Sequence, residues 1–269
     1  MTDNNEQKHG RSYLLAVEDI EFLLRDELRP FRFGMEYSKA ELLLRDWGVR
    51  STVVVFGSAR VPPPEEAELF KAAAKTKAER EVAARLVALS PWYQAAREFG
   101  RIVSERGGAL HMRHGLRDNV IATGGGPGIM EAANRGARDA GAISIGFNIR
   151  LPHEQEPNPY STPDLTFNFH YFAMRKMHLA MRANALAVFP GGFGTLDELF
   201  ELLTLLQTGK APKLPIVLFG KKYWRGIVNF DGLVKAGTID KADLDLFTFV
   251  ETPEEGYRAM IERGLTAHV

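Results

Sequence analysis

Short apolar runs alternate with amphipathic stretches over most of the chain. The apolar runs are STVVVF, NVIAT, AISIGFNI, LTFNF, ALAVF, LPIVLF and FTFV, and segments with helical spacing of apolar residues separate most of them. Strands that are apolar throughout and alternate with helices indicate a parallel sheet that is covered on both faces. The pattern therefore predicts an α/β fold with one doubly wound parallel sheet, in a single domain over residues 51–269.

The rest of the pattern predicts helices outside this regular alternation. Two stretches with helical spacing, the first over residues 13–28, indicate a helical N-terminal arm within residues 1–50. Residues 65–106 are charged and Ala-rich, and Pro91 is expected to divide them into two helices. Residues 223–237 are predicted to form one helix.

Composition narrows the possible functions. The chain has 34 Lys and Arg against 34 Asp and Glu, so its formal net charge is zero, which gives no support to binding of nucleic acid or an anionic membrane. It has no cysteine, which excludes disulfides and thiolate metal sites. No stretch approaches the roughly 18 apolar residues of a membrane span, and the polar first residues lack a signal core. We expect a cytoplasmic protein.

Three glycine-bearing turns follow predicted strands. They are FGSAR, TGGGPG and PGGFGT, at residues 56–60, 123–128 and 190–195. Glycine allows close approach of a ligand to the backbone, and the start of the following helix favours a phosphate. The dinucleotide fingerprint fails because Ile129 and Asp197 occupy its last small position, and no triphosphate-binding loop is present. A nucleoside monophosphate is the expected ligand, and no pattern indicates a metal or a cofactor.

The stretch PGGFGTLDELFE has two interpretations. Thr195 and Glu198 form the pattern T-x-x-E, which is typical of a capping box at the start of a helix. Alternatively, Glu198 is a functional carboxylate beside a phosphate-binding turn. Spacing alone leaves both interpretations open.

The stretches GGGPGIMEAANRGA, MRK and PGGFGTLDE resemble the motifs of the LOG family, cytokinin-activating phosphoribohydrolases that were long mislabelled as lysine decarboxylases. The family pattern PGGxGTxxE with an upstream Arg-Lys pair matches here at all of its fixed positions. The resemblance covers about residues 52–269. It implies a Rossmann-like fold, a homodimer or higher homo-oligomer, and hydrolysis of a nucleoside 5′-monophosphate to free base and ribose 5-phosphate.

The resemblance also implies site residues. Arg175 and Glu198 become the catalytic pair, because a carboxylate beside the ribose can stabilise an oxocarbenium-like sugar or activate the attacking water. Arg175 can hold phosphate or a sugar hydroxyl and orient the carboxylate, but it cannot act as an acid at neutral pH. The residues expected to cradle the phosphate or border the nucleotide are Gly57, Ser58, Gly125, Gly126, Gly128, Gly191, Gly192, Gly194 and Thr195.

Other polar residues have open roles. Glu131 is either a ribose contact or a favourable charge near a helix start. His170 and Tyr171 either line the base pocket or belong to a loop. His178 is either a site residue or an ordinary polar helix position, whereas Lys176 is expected to be solvated or to steer phosphate rather than to form a Schiff base. Asn134 and Arg135 are predicted to lie at the surface.

Two features differ from compact family members. About fifty residues precede the first strand, and a helical insertion lies between residues 61 and 118. Both are similar to the longer bacterial members, so the expected substrate is AMP or an N6-modified AMP within a general class of purine and pyrimidine monophosphates. The alternative is a non-catalytic nucleotide or molybdenum-cofactor carrier or sensor of the same fold, although such a carrier does not need both Arg175 and Glu198.

Overall fold

A seven-stranded sheet forms the centre of the molecule. The computed structural model describes residues 3–151 and 156–266. In chain order the strands are β1 (Thr52–Phe56), β2 (Val120–Thr123), β3 (Ser144–Ile149), β4 (Thr166–Phe169), β5 (Ala183–Val188), β6 (Ile216–Phe219) and β7 (Phe247–Val250). Their order across the sheet is β4-β3-β2-β1-β5-β6-β7, and all neighbours are parallel. The predicted α/β, Rossmann-like, doubly wound sheet is therefore confirmed.

Helices occupy most of the remaining described chain. The α-helices are α1 (Asn5–His9), α2 (Ile20–Leu23), α3 (Arg29–Asp46), α4 (Pro64–Ala73), α5 (Lys77–Leu89), α6 (Pro91–Arg106), α7 (Ile129–Asp139), α8 (Phe172–Met181), α9 (Phe193–Gln207), α10 (Lys221–Ile227), α11 (Phe230–Lys235) and α12 (Pro253–Glu262). Four short 3-10 helices also occur, at Arg11–Tyr13, Asp26–Leu28, Pro163–Leu165 and Lys241–Leu246.

Two predicted helical boundaries are wrong. Residues 65–106 form parts of three helices, because the chain is extended at Ala74 and a capping box of Thr76 and Glu79 starts α5. The single helix predicted over residues 223–237 is two short helices, since the backbone is extended at Val228 and the Asn229 side chain caps α11. In both places a local cap outweighs the continuous helical spacing of apolar residues.

The sheet is covered on both faces, because successive side chains of a strand point to opposite sides. Val54 and Phe56 of β1 belong to a core cluster that also includes residues of α3, α8 and α9. Val53 and Val55 belong to a second cluster, with residues of α6, α7 and α12. All of β1 is buried, as expected for a central strand of a parallel sheet.

The order of the strands reverses at the centre of the sheet. The chain passes outward from β1 to β4, returns to form β5 beside β1, and then passes outward to β7. In open α/β sheets, ligands bind beyond the carboxyl ends of the strands at such a reversal. This position lies between the turns that follow β1 and β5.

The helical arm precedes the sheet. Helix α3 contributes Ala40 and Leu44 to the core, and both side chains are buried. The first part of the arm, residues 13–28, holds only one short α-helix and 3-10 turns, in place of the longer helix that its spacing predicts. Among the described residues, no helix is both long enough and apolar enough to cross a membrane.

Candidate active site

A cavity of about 720 Å³ lies where the strand order reverses. The turn after β1 and the turn after β5 form two of its walls, and side chains of α5 and α10 close it on other sides. The lining residues are Phe56, Gly57, Ser58, Ala59, Arg60, Leu89, Gly124, Met130, Arg175, Pro190, Gly191, Gly192, Phe193, Gly194, Thr195, Leu196, Tyr223 and Ile227. The predicted residues Gly57, Ser58, Gly191, Gly192, Gly194, Thr195 and Arg175 are thus brought together.

The glycines of the turn after β5 have two different surroundings. At Gly191 an added Cβ would lie 2.1 Å from Thr195 Oγ1 and 3.0 Å from the Ser58 backbone nitrogen, so the turn can pack only with glycine. At Gly192 and Gly194 an added Cβ would meet no atom within 4 Å, so these positions leave space beside the backbone. That open space borders the cavity and suits a ligand that contacts the main chain.

Helix α9 begins inside this turn, at Phe193, with Gly192 as its N-cap and without a capping side chain. The capping-box interpretation of Thr195 and Glu198 is therefore wrong, because Thr195 already lies within the helix. The first N–H groups of a helix have no intrahelical acceptor, and the helix dipole places positive charge there. The start of α9 can accept a phosphate at the cavity wall.

Two hydrogen bonds fix the shape of the turn after β5. The backbone N–H of Ser58 donates to the carbonyl of Pro190 at 3.0 Å, which ties the turn after β1 to the turn after β5. The hydroxyl of Tyr223 donates to the carbonyl of Gly191 at 2.8 Å. Tyr223 carries no local sequence signal of this contact, because α10 lies far from the glycine motifs along the chain.

Arg175 and Glu198 form an ion pair next to the cavity. Arg175 lies in α8 and Glu198 in α9, and Arg175 Nη2 donates to Glu198 Oε1 at 3.3 Å. Arg175 lines the cavity, and its buried Nε has no hydrogen-bond partner within the described protein. Glu198 is 4% exposed and lies behind the lining residues. The pair thus places the guanidinium group of Arg175 at the wall of the cavity.

The charge of Glu198 is set by opposing effects. Burial raises the pKa of the Glu198 carboxyl above its ordinary value, and the positive charges of Lys176 and Arg175 oppose this effect. A carboxylate whose pKa lies closer to neutrality is a better general base. The environment of Glu198 therefore suits proton transfer better than that of a solvated glutamate.

Lys176 neutralises the acidic face of α9. Its Nζ lies 2.8 Å from Asp197, 2.7 Å from Glu201 and 3.8 Å from Glu198. Burial disfavours the charged ammonium, but the hydrogen bonds to Asp197 and Glu201 outweigh burial and raise the pKa of Lys176. Lys176 is consequently an ion-paired cation and not a solvated or phosphate-steering residue.

The glycine turn after β2 supports the cavity from outside. Gly125, Gly126 and Gly128 are buried, and they are not among the lining residues, although Gly124 is. Gly128 has φ of +72°, and an added Cβ would lie 2.4 Å from the Ser58 carbonyl oxygen. The turn after β2 therefore packs directly against the turn after β1, which lines the cavity.

A buried amide network holds this supporting turn. The side chain of Asn158 donates to the carbonyls of Gly125 and Gly126 and to the side chain of Asn134. Asn134 also bonds the hydroxyl of Thr123 and is fully buried, so its predicted place at the surface is wrong. Asn134 faces the sheet from α7, where helical spacing alone does not distinguish a buried amide from an exposed one.

The other candidates lie outside the cavity lining. Glu131 Oε1 accepts a hydrogen bond of 2.6 Å from the Tyr93 hydroxyl, a partner that the sequence did not indicate. His178 is buried and stacks on Tyr37 and Phe147, which supports a structural position. Burial lowers the pKa of His178. No group of three or more possible metal ligands occurs among the described residues.

Comparison with known proteins gives one family and several relatives. A family model described as possible lysine decarboxylase matches residues 130–260. A probable cytokinin riboside 5′-monophosphate phosphoribohydrolase of Oryza sativa subsp. japonica is 27% identical over 140 residues, which cover 51% of this chain and 60% of that protein. A pyrimidine/purine nucleotide 5′-monophosphate nucleosidase of Escherichia coli strain K12 is 33% identical over 136 residues, covering 43% of this chain and 28% of that protein.

These alignments span less than two thirds of either relative. Among solved structures, a molybdenum cofactor binding protein from the phototrophic bacterium Rippkaea orientalis is 16% identical, with 81% of this chain and 97% of that chain covered and a TM-score of 0.46. A likeness at this level carries no functional argument. The family match and the two sequence relatives agree with the motifs around Arg175 and Glu198, and together they support the LOG family as the family that this chain resembles.

Proposed function

We propose that the protein hydrolyses the N-glycosidic bond of a nucleoside 5′-monophosphate and releases the free base and ribose 5-phosphate. The observation that carries this proposal is the buried Arg175–Glu198 pair, which lies beside an uncapped helix start at the cavity. A helix start of this kind favours phosphate, and a carboxylate next to a ribose favours glycosidic cleavage. The family relatives named above include phosphoribohydrolases and nucleosidases, which supports a hydrolase.

In this proposal the 5′-phosphate binds at the start of α9. The main-chain N–H groups near Gly192 and Gly194 donate to the phosphate, and Thr195 and the turn at Gly57 and Ser58 complete the cradle. The open space beside Gly192 and Gly194 supports this placement, because a phosphate oxygen needs direct access to the backbone.

Glu198 then acts on the ribose. As the bond from C1′ to the base nitrogen breaks, positive charge develops on the sugar, and the ionised carboxylate stabilises that charge or takes a proton from the attacking water. Water supplies the hydroxyl at C1′, and the departing base takes up a proton. Arg175 holds the carboxylate, and its guanidinium group at the cavity wall binds a phosphate or sugar oxygen.

The proposed substrate is AMP or an N6-modified AMP, in a wider class of purine and pyrimidine monophosphates. Leu89, Tyr223 and Ile227 form an apolar part of the cavity wall, away from the glycine turn in the sequence. A planar base suits such a wall, since aromatic and aliphatic side chains bury its faces. These side chains do not by themselves select one base.

A panel of nucleoside 5′-monophosphates tests the proposal. The purified protein is incubated with each one, and the released base is measured by chromatography, with the matching free nucleosides as controls. Base released from AMP or a relative, with the nucleosides left intact, supports the reaction and the need for the phosphate. Binding of monophosphates without any release would instead favour the carrier or sensor alternative.

The protein is also proposed to work as a cytoplasmic homodimer or higher homo-oligomer that binds neither nucleic acid nor membrane. Exposed apolar side chains at Phe172, Met181 and Phe193 support an interface around α8 and the start of α9. Light scattering at micromolar concentration tests the oligomer, and a uniform monomer would contradict it. A zero net charge supports the absence of nucleic-acid binding, which a filter-binding assay checks.

A further inference from the structure

Helix α8, which carries Arg175, has no cap of its own. Its N-cap residue, Tyr171, makes no side-chain capping hydrogen bond, and no residue of its first turn is acidic. The start of a helix leaves N–H groups unsatisfied and carries partial positive charge. An acceptor from elsewhere in the chain is therefore needed to hold this end of α8.

Glu36 of α3 provides that acceptor. Its Oε1 accepts from the backbone N–H of His170 at 2.8 Å, and its Oε2 accepts from the backbone N–H of Tyr171 at 3.2 Å. These are consecutive backbone groups immediately before α8, so both oxygens of one carboxylate hold the turn through which the chain enters the helix. The negative charge also lies at the favourable end of the helix dipole.

Two neighbours of Glu36 hold the same turn. The ring of Phe33 packs edge-on against the ring of Tyr171 with centroids 4.2 Å apart. Arg32 Nε donates to the Tyr171 hydroxyl at 3.1 Å. Three side chains of α3 thus contact the two residues that precede α8. These contacts restrain both the position and the orientation of the turn that leads into α8.

Helix α3 also holds the far end of α8. The ring of Tyr37 stacks on His178 with centroids 5.4 Å apart. Glu41 accepts two hydrogen bonds of 2.7 Å from Arg182, directly after the last residue of α8. Because α3 contacts both ends of α8, it restrains the position of α8 along its axis and its rotation about that axis.

Arg175 depends on this restraint. Its hydrogen bond to Glu198 measures 3.3 Å, near the upper limit for a hydrogen bond, so a shift of α8 by about 0.5 Å would weaken or break it. We propose that Glu36 is a positioning residue: by capping α8 from α3, it holds Arg175 at the distance from Glu198 that the reaction needs. This inference rests on the proposed hydrolysis and adds a role for the N-terminal arm.

Kinetics of Glu36→Ala test the proposal, with Glu18→Ala as the control. Glu18 is an exposed glutamate of the same arm, and it is expected to leave the activity unchanged. Glu36→Ala is expected to lower kcat for the best monophosphate about tenfold or more, since small misplacements of reacting groups cost up to about a hundredfold. KM is expected to change less than threefold, because the turn that binds phosphate lies on α9. Glu36→Gln, which keeps one acceptor oxygen, is expected to be intermediate.

Three results would overturn the proposal. The first is an unchanged kcat in Glu36→Ala, with or without a lower melting temperature. The second is a loss of kcat accompanied by an equal loss of nucleotide affinity, which would indicate damage to the whole site. The third is a Gln variant as impaired as the Ala variant, because a cap should be partly rescued by the remaining oxygen.

Amide hydrogen exchange separates this proposal from the proposed function. If the wild-type protein turns over no monophosphate, the hydrolase proposal fails, and the exchange result decides the role of Glu36. Faster exchange in α8 of Glu36→Ala, with unchanged exchange in α9, supports the cap. Equal exchange in α8 of the variant and the wild type overturns it.

Discussion

Replacing Glu198 by Gln tests the proposed chemistry most directly. The amide has nearly the same shape as the carboxylate, so it keeps the packing of a side chain that is 4% exposed, but it has neither the negative charge nor the basicity. General acid–base catalysis contributes about 10²- to 10⁴-fold. At about 1.36 kcal/mol for each factor of ten, the expected loss is about 2.7–5.5 kcal/mol of transition-state stabilisation.

The pH profile of the wild type gives an independent measure of the same group. Burial raises the pKa of Glu198 above its ordinary value of 4.5. In the proposed mechanism the reactive form is the ionised carboxylate, so kcat/KM is expected to fall as the pH decreases through this raised pKa. The acid limb of the wild-type profile should therefore lie above pH 4.5, the ordinary value of the carboxyl.

The assay compares Glu198→Gln with Glu201→Gln. Glu201 lies one turn further along α9 and shares Lys176 with Glu198, so its variant removes a similar charge from the same helix. Base release and nucleotide affinity are measured for both variants at pH 7. Glu198→Gln should bind the monophosphate and lose turnover, whereas Glu201→Gln should stay within about threefold of the wild type. A Glu198→Gln variant with more than a tenth of the wild-type kcat would refute the proposed role.

Four further predictions concern the neighbours of this carboxylate. Lys176→Met removes a charge that lowers the pKa of Glu198, so the acid limb of kcat/KM should move to higher pH; an unmoved limb would contradict the coupling. Gly192→Ala should keep the melting temperature and raise KM for monophosphates about ten- to a hundredfold, because a hydrogen bond to a charged group contributes about 1.5–3 kcal/mol. Gly191→Ala should lower the melting temperature, since the new Cβ overlaps packed atoms, and equal melting curves would disprove this. Arg175→Lys should retain phosphate binding and lose most of kcat, as measured by base release and calorimetry, because an ammonium cannot form the planar contacts of a guanidinium.

The pattern T-x-x-E shows why parts of the site could not be predicted. At Thr76 and Glu79 the pattern forms a true capping box at the start of α5. At Thr195 and Glu198 the same pattern lies inside α9, because the N-cap of this helix is Gly192, three residues before Thr195. The sequence alone gives these two places the same local signature, and only the tertiary contact with Arg175 distinguishes the surroundings of Glu198 from those of Glu79.

The fold itself was more accessible to prediction. Strands such as β1 are short, continuous apolar runs, and their burial follows directly from the parallel sheet. The residues that close the cavity from α5 and α10, Leu89 and Ile227, carry no local signal, since apolar side chains at helix ends are common. The surroundings of Glu36 were missed for the same reason, because its partners are 134 and 135 residues away along the chain.

This separation along the chain has a consequence for biosynthesis. Glu36 leaves the ribosome 134 residues before its partner His170, which corresponds to roughly 7–27 s of translation at about 5–20 residues per second. During that interval α3 has no α8 to pack against, and Phe33 and Tyr37 lie open to chaperones or to other nascent chains. The proposed positioning of Arg175 is completed only when an early segment of the polypeptide meets a late one, so the proposed activity would appear only after both segments have been translated.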